Sequence, residues 1–291
     1  MDITPYKLAD DDFYASQDRG SDPLARELVG DYRGLLIDAP ARVDVALRST
    51  LPAGIYHLGA IRELSALPFD RFGVITAMHL DANQLYAAPG SALQRDDDLM
   101  ESPPRDPADL PEGDMSSTYP VDFRELLPIP WQPGRYLLTA LLRDTVSNRV
   151  EVELFGPAAP VTPAQETDVF PPPERNVTSY QRHPKAPGIP AEFGIALAPQ
   201  RIVDLRHDWQ WPLYGAFHLP AQSDGVVPIH LLITGSDDNS LDLIHIRVPP
   251  TGYFTVDLNQ LTSMRAPQTY FVSAFSGRVL ASPVPTALIE G

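Results

Sequence analysis

The chain contains an internal duplication, and this feature constrains its fold more than any other. In the first blocks, GLLIDAPARVDV (34–45) matches GIALAPQRIVDL (194–205), and LPAGIYHLGAI (51–61) matches WPLYGAFHL (211–219). Two more matches follow in the same order: PVDFRELL (120–127) with TVDLNQLT (255–262), and RYLLTALLRD (135–144) with TYFVSAFSGR (269–278). Four matches in one order predict two tandem copies of one domain.

The boundaries of the copies follow from composition. Residues 93–117 are acidic, rich in proline and without apolar periodicity, which predicts a long loop inserted in the first copy. This insertion is either inert or a lid or docking loop for a partner. Composition divides the chain into four segments. They are an acidic lead-in over 1–30, a first β-domain over 31–156, a Pro-rich linker over 157–190 and a second β-domain over 191–291.

Short alternating segments between turn residues predict β-strands. Proline occurs 32 times, which favours short elements and many turns over long helices. Period-two alternation over 203–211 predicts one strand with one packed face. The segments that are apolar on both faces are expected to be central strands: 72–80, 136–142, 229–234 and 270–275. Pro283 and Pro285 predict that the last strand lies at an edge. The predicted fold class is therefore all-β, with two duplicated β-sandwich or small β-barrel domains.

Charge and composition limit the partners. The net charge is −16, and Lys7 and Lys185 are the only lysines, which disfavours nucleic acid and anionic membranes and favours a basic partner. Many arginines and few lysines, with abundant alanine and proline, suggest a bacterial source. No signal-like or membrane-spanning apolar segment is present, so a cytoplasmic location is expected.

The sequence carries no motif for a known catalytic or cofactor site. There is no cysteine, and no dinucleotide, P-loop, zinc-protease or nucleophile-elbow pattern, so no catalytic residue, metal or cofactor is predicted. His230 and His245 are expected to face each other on neighbouring strands as structural histidines. Asp122 and Asp257 hold matched places, and each is expected to cap the short turn that follows, although a carboxylate pair could also hydrolyse glycosides.

Aromatic residues of the second copy supply the candidate binding site. Trp209 and Trp211 have no aromatic counterpart in the first copy, whereas Tyr214 is matched with Tyr56. In the predicted strand both tryptophans lie on the same apolar face as Val203, which favours core positions for them. They could also line a ligand groove. The candidate ligand-binding residues are Trp209, Trp211, Tyr214 and His207.

These observations predict a non-enzymatic binding or accessory protein. It would recognise a peptide or protein partner through a β-edge or an inter-domain cleft, in a bacterial biosynthetic pathway, and could form a homodimer. Two alternatives stay open. One is a carboxylate-based glycoside hydrolase or carbohydrate-binding protein, and the other is a structural protein that assembles through β-edges.

Overall fold

The computed structural model describes residues 32–93, 110–157, 179–223, 225–238 and 240–290. It is mostly strand, arranged in several sheets, which confirms the predicted all-β class. The chain divides into two compact units: residues 1–81 with 86–167 form the first unit, and residues 82–85 with 168–291 form the second. The predicted lead-in, residues 94–109 of the predicted insertion and residues 158–178 of the predicted linker lie outside the described residues.

The first unit contains two sheets. Its strands are β1 (Gly34–Asp38), β2 (Arg42–Asp44), β3 (Pro52–Ala60), β4 (Gly73–His79), β5 (Gln84–Pro89), β6 (Asp114–Asp122), β7 (Gly134–Leu142), β8 (Thr145–Val146) and β9 (Val150–Phe155). Its helices are α1 (Ile61–Ala66), α2 (Phe69–Phe72), a 3-10 turn (Gly90–Leu93) and α3 (Phe123–Leu126). One sheet has the order β1-β3-β6, and the other has the order β2-β9-β7-β4-β5 with β8 added on β7.

The second unit repeats this arrangement. Its elements are β10 (Gly194–Pro199), β11 (Ile202–Asp204), β12 (Pro212–His218), β13 (Val227–Gly235), β14 (Leu241–Val248), β15 (Thr251–Asp257), α4 (Leu258–Leu261), β16 (Thr269–Ser276) and β17 (Val279–Ile289). The sheet orders are β10-β12-β15 and β11-β17-β16-β13-β14. Each strand takes the place of its counterpart in the first unit, so the duplication inferred from four sequence blocks extends to the whole sheet topology.

Both sheets of a unit contribute to one hydrophobic core. In the first unit, Ile55 from the small sheet and Leu138 from the large sheet are fully buried in the same cluster. In the second unit, Phe254 and Val272 have the same relationship. In each unit the two sheets therefore share one hydrophobic core, as in a β-sandwich or a small β-barrel. The four segments that are apolar on both faces became β4, β7, β13 and β16, which all lie inside their sheets as predicted.

Three sequence predictions about strands are wrong. Residues 203–211 do not form one strand, because β11 ends at Asp204 and a turn follows. β17 is not an edge strand, since it lies between β11 and β16. Its prolines are tolerated because β11 pairs only with the last residues of β17, from Ala287 to Ile289, and because the pairing with β16 is irregular near Pro283.

The third error concerns the predicted insertion. Its last residues, from Asp114, belong to β6, which pairs with all nine residues of β3. The composition of these residues is polar, but the backbone hydrogen bonds of a sheet do not depend on apolar side chains.

Candidate functional site

The turn between β11 and β12 carries two of the four candidate residues, His207 and Trp209, on a backbone that is hydrogen-bonded by aspartate side chains. The Asp208 carboxylate accepts hydrogen bonds from the backbone N–H of Asp204 at 2.9 Å and from Gln200 Nε2 at 3.3 Å. Asp204 in turn accepts a bond from the backbone N–H of Arg206 at 2.9 Å and lies 2.7 Å from His207 Nδ1. These two carboxylates end the strand and hold the turn, because aspartate side chains compete with the sheet for nearby backbone donors.

Trp209 lies at the tip of this turn and is 93% exposed. Its carbonyl oxygen accepts a hydrogen bond from Asn259 Nδ2 at 3.2 Å. The Asn259 carbonyl in turn accepts a bond from Arg265 Nη2. The side chain of His207, two residues before Trp209, is also exposed. The turn therefore presents a bare indole ring on a backbone that is hydrogen-bonded on both sides.

Trp211 is a core residue, so its prediction as a ligand-binding residue is wrong. It is fully buried, its ring centroid lies 5.2 Å from that of Tyr270, and its Nε1 donates to Thr286 Oγ1 at 3.1 Å. Its counterpart Leu51 is fully buried as well. The shared face with Val203 favoured core packing for both tryptophans; this prediction is confirmed for Trp211 and wrong for Trp209, which is exposed.

Tyr214 is buried under His183 of the same chain, so it is not available as a contact residue either. His183 stacks on its ring at 4.2 Å with an interplanar angle of 12°. Its match with Tyr56 is two residues out of register, since Tyr214 pairs with Thr255 whereas Tyr56 pairs with Thr118. The Tyr56 ring nevertheless leans back over Gly54, the residue at the place of Tyr214, so the two rings cover the same position of the sheet.

The matched carboxylates Asp122 and Asp257 are helix caps, as predicted. Asp122 Oδ1 accepts from the backbone N–H of Arg124 at 3.0 Å and of Leu51 at 2.9 Å. Asp257 Oδ1 accepts from Asn259 at 3.1 Å and from Trp211 at 2.8 Å. Each carboxylate therefore ties the start of a helical turn to the start of a neighbouring strand, which is a structural role in both copies.

His230 and His245 face each other across β13 and β14, as predicted from the sequence. Their ring centroids are 4.2 Å apart at 86°, and both rings are buried. His230 Nε2 lies 2.8 Å from the carbonyl oxygen of Asn83, which belongs to the second unit. Burial lowers the pKa of His230 to about 3, with a smaller effect from His245, and lowers the pKa of His245 to about 4. Both rings are therefore neutral at pH 7. Within the described ranges, no three or more His, Cys, Asp or Glu side chains converge as a metal site would require.

The outer edge of β15 is covered by residues that sequence reasoning had assigned to the linker. Ser179 forms an antiparallel bridge with Thr255, donating its N–H at 3.2 Å and accepting at 2.8 Å. Beyond it, Tyr180 donates its hydroxyl to the Arg247 carbonyl at 2.8 Å, and the Arg182 guanidinium lies 5.8 Å from the Tyr253 ring. This segment was predicted to be a linker because prolines surround it. Only the sequence Val177-Thr178-Ser179-Tyr180 has the residue types that favour a β-strand.

Two open cavities lie at equivalent ends of the two small sheets. One, of about 440 Å³, is lined by Glu192, Phe193 and His218. The other, of about 320 Å³, lies beside the start of β6 and is lined by Arg33, Ala60, Arg62 and residues 111–114. Gly34 pairs with Leu58 and Gly194 pairs with His218, so Arg33 takes the place of Phe193. The two copies have therefore diverged in the chemistry of this end.

Comparison with known proteins adds no argument about function. No protein-family model matches the chain, and no curated protein matches it. Similar solved structures include two crystal forms of a bacterial adhesin from Mobiluncus mulieris that contains intramolecular disulfide, isopeptide and ester cross-links. The identities are 7% and 9%, with 83% of this chain and 81% of each adhesin chain covered, at TM-scores of 0.16 and 0.15. In the described residues, no helix is long and apolar enough to cross a membrane.

Proposed function

We propose that this protein is a non-enzymatic binding protein that recognises a peptide or protein partner through the turn that carries Trp209. The observation that carries this proposal is the 93% exposure of the Trp209 side chain on a backbone that is hydrogen-bonded to Asn259. Tryptophan is among the residues that most often dominate binding energy, because a large rigid ring buries much area at a low entropic cost. The turn is already ordered by Asp204 and Asp208, so binding would not need to order it.

The outer edge of β11, which leads into this turn, is blocked against strand addition, and this favours contact through side chains. Leu205 N–H donates to Ile289 and Ala287 N–H donates to Arg201, so the backbone groups of Ile202 and Asp204 point away from β17. Two of those outward groups are already bonded by side chains: Gln200 Nε2 donates to the Ile202 carbonyl at 2.9 Å, and Asp208 accepts from Asp204 N–H. A partner at this surface would therefore meet Trp209 and His207.

Selection from a phage-displayed library of random linear peptides, panned on the whole protein, tests the proposal. Recovered peptides would be synthesised and titrated against the wild type, Trp209→Ala and Leu47→Ala. Leu47 is a matched control, because it is 81% exposed in the corresponding turn of the first unit. We expect Trp209→Ala to weaken binding by about tenfold or more and Leu47→Ala to leave it within about twofold. The proposal would be refuted if none of the recovered peptides lost affinity in Trp209→Ala, or if the library yielded no binder.

A further inference from the structure

We infer that the outer edge of β6 in the first unit accepts an extended, basic peptide as an added antiparallel strand. This inference goes beyond the proposed function, because it concerns a different surface from the Trp209 turn, and it rests on that function only for the class of partner. The argument comes from the duplication: the second unit shows what covers the equivalent edge. There, β15 pairs with Ser179 of the chain itself, through two backbone hydrogen bonds.

The hydrogen-bonding direction of β6 is fixed by its flanking bonds. Ile61 N–H donates to the Gly113 carbonyl at 2.9 Å, and Phe123 N–H donates to the Leu51 carbonyl at 2.9 Å. Odd-numbered residues of β6 therefore bond to β3, and even-numbered residues direct their N–H and C=O groups to the outer edge. The same argument applies to β15, where Leu219 N–H donates to the Pro250 carbonyl and Leu258 N–H donates to the Trp211 carbonyl. The N–H and C=O groups of Thr255 therefore point to the outer edge, which agrees with its bridge to Ser179.

The start of β6 is open in the part of the chain that the structure describes. β6 is the last strand of its sheet, and its first three residues, Asp114, Met115 and Ser116, are exposed. At the other edge of this sheet, the Asn148 side chain blocks β1, because it accepts from Ile37 N–H at 2.7 Å and donates to the Ile37 carbonyl at 2.8 Å. No described strand or isolated bridge pairs with the outer side of Asp114 or Ser116.

A proline explains why the two units differ at this edge. The residue of β6 at the place of Thr255 is Pro120, because each lies two residues before the cap aspartate of its strand. Proline has no N–H to donate, so the bridge made by Ser179 in the second unit cannot form at that position. An added strand must therefore pair nearer the start of β6, at Asp114 and Ser116.

The covering segment also indicates the chemistry of the peptide. The described residues of this segment, 179–183 (SYQRH), include Arg182 and no acidic residue, and the whole chain has a net charge of −16. An acidic protein attracts basic peptides at long range. Backbone hydrogen bonds would then supply much of the affinity and tolerate many side chains, as in other cases of β-strand addition.

The test uses a fluorescein-labelled peptide with the sequence of residues 175–183, titrated against the full chain by fluorescence anisotropy. Ser116→Pro removes an outward N–H without removing a bond to β3, and Ser116→Ala is the matched control that keeps that N–H. We expect Ser116→Pro to weaken binding by about tenfold and Ser116→Ala to leave it within about twofold. Far-UV circular dichroism and the urea midpoint show whether Ser116→Pro folds.

A second measurement changes only the peptide, so it holds even if Ser116→Pro fails to fold. N-methylation at the peptide's serine that corresponds to Ser179 should abolish binding, and N-methylation at the next residue, which points away from β6, should not. Equal effects of the two methylations, equal binding by both Ser116 variants, or no binding by the wild type would overturn the inference. If only Trp209→Ala lost binding, the peptide would bind at the turn and not at β6. That result would overturn the inference and support the proposed function. If the wild type bound no peptide but formed a dimer, and Ser116→Pro dissociated that dimer, the occupant of the β6 edge would be a second copy of this chain and the inference would be overturned.

Discussion

At the scale of single residues, Trp209 and Trp211 are two positions apart and have opposite roles. Trp211→Ala removes a fully buried indole and leaves Thr286 without its ring N–H partner, so we expect a loss of about 3–5 kcal/mol in the free energy of unfolding. Trp209→Ala removes a ring that touches mostly solvent, so its effect on stability should stay within about 0.5 kcal/mol. Urea denaturation of both variants, followed by circular dichroism, measures the difference.

The outcome that would contradict this assignment is a Trp209→Ala variant as unstable as Trp211→Ala. The sequence could not separate the two residues, because both fit the alternation that starts at Val203. What breaks the alternation is the pair of carboxylates, Asp204 and Asp208, which take backbone donors away from the sheet. Asp208 reaches Gln200 and Asp204 only after the chain has turned, so its role depends on distances that the sequence pattern does not contain.

At the scale of elements, the capping aspartates join a helical turn to a strand. Replacing Asp257 by alanine removes the acceptor for Asn259 N–H and for the buried N–H of Trp211, so we expect a loss of about 2–3 kcal/mol. Asp257→Asn keeps an oxygen at Oδ1 and should cost less than about 1 kcal/mol. Urea midpoints of the two variants decide the matter. Equal destabilisation by alanine and asparagine would mean that the cap bonds to Oδ1 contribute little, and that the negative charge or the bond from Gln260 Nε2 to Oδ2 at 3.2 Å matters instead.

Much of the element order could be predicted from the sequence, because local rules determine it. The matched Val-Asp blocks predicted both caps, and the segments that are apolar on both faces predicted the central strands β4, β7, β13 and β16. Elements that depend on distant partners could not be predicted. The polar start of β6 is a strand because β3 pairs with it, and Ser179 is ordered because the outer edge of β15 is available to it.

At the scale of the whole molecule, the two copies have kept their topology and changed their surfaces. The sheet orders are the same apart from β8, which is added on β7 in the first unit, and equivalent core positions are filled by Leu51 in one copy and by Trp211 in the other. The exposed ends differ more, since Arg33 stands where the second copy has Phe193, and Pro120 stands where it has Thr255. In the described residues, Thr255 pairs with Ser179, whereas Pro120 has no N–H with which to form the same bridge.

The buried histidine pair makes the stability of the second unit sensitive to acid. The pKa values of His230 and His245 lie near 3 and 4, below the ordinary value of 6.5, because burial penalises the charged form. The unfolded chain binds these protons near pH 6.5, so the stabilising contribution is complete above that pH and is lost as the pH falls toward 4 and then 3. For His245 these two pKa values give an expected loss at pH 4 on the order of 3 kcal/mol.

His245→Phe tests this expectation, because it keeps an aromatic ring against His230 and removes one titrating group. We expect the variant's urea midpoint to fall less than that of the wild type between pH 7 and pH 4. A Trp131→Phe background confines the tryptophan fluorescence to the second unit, where Trp209 and Trp211 remain. Measurements at pH 8, where both histidines are neutral, give the intrinsic cost of the substitution and allow it to be subtracted. If the decline from pH 7 to pH 4 is as steep in the variant as in the wild type, groups other than His245 control the acid sensitivity of this unit.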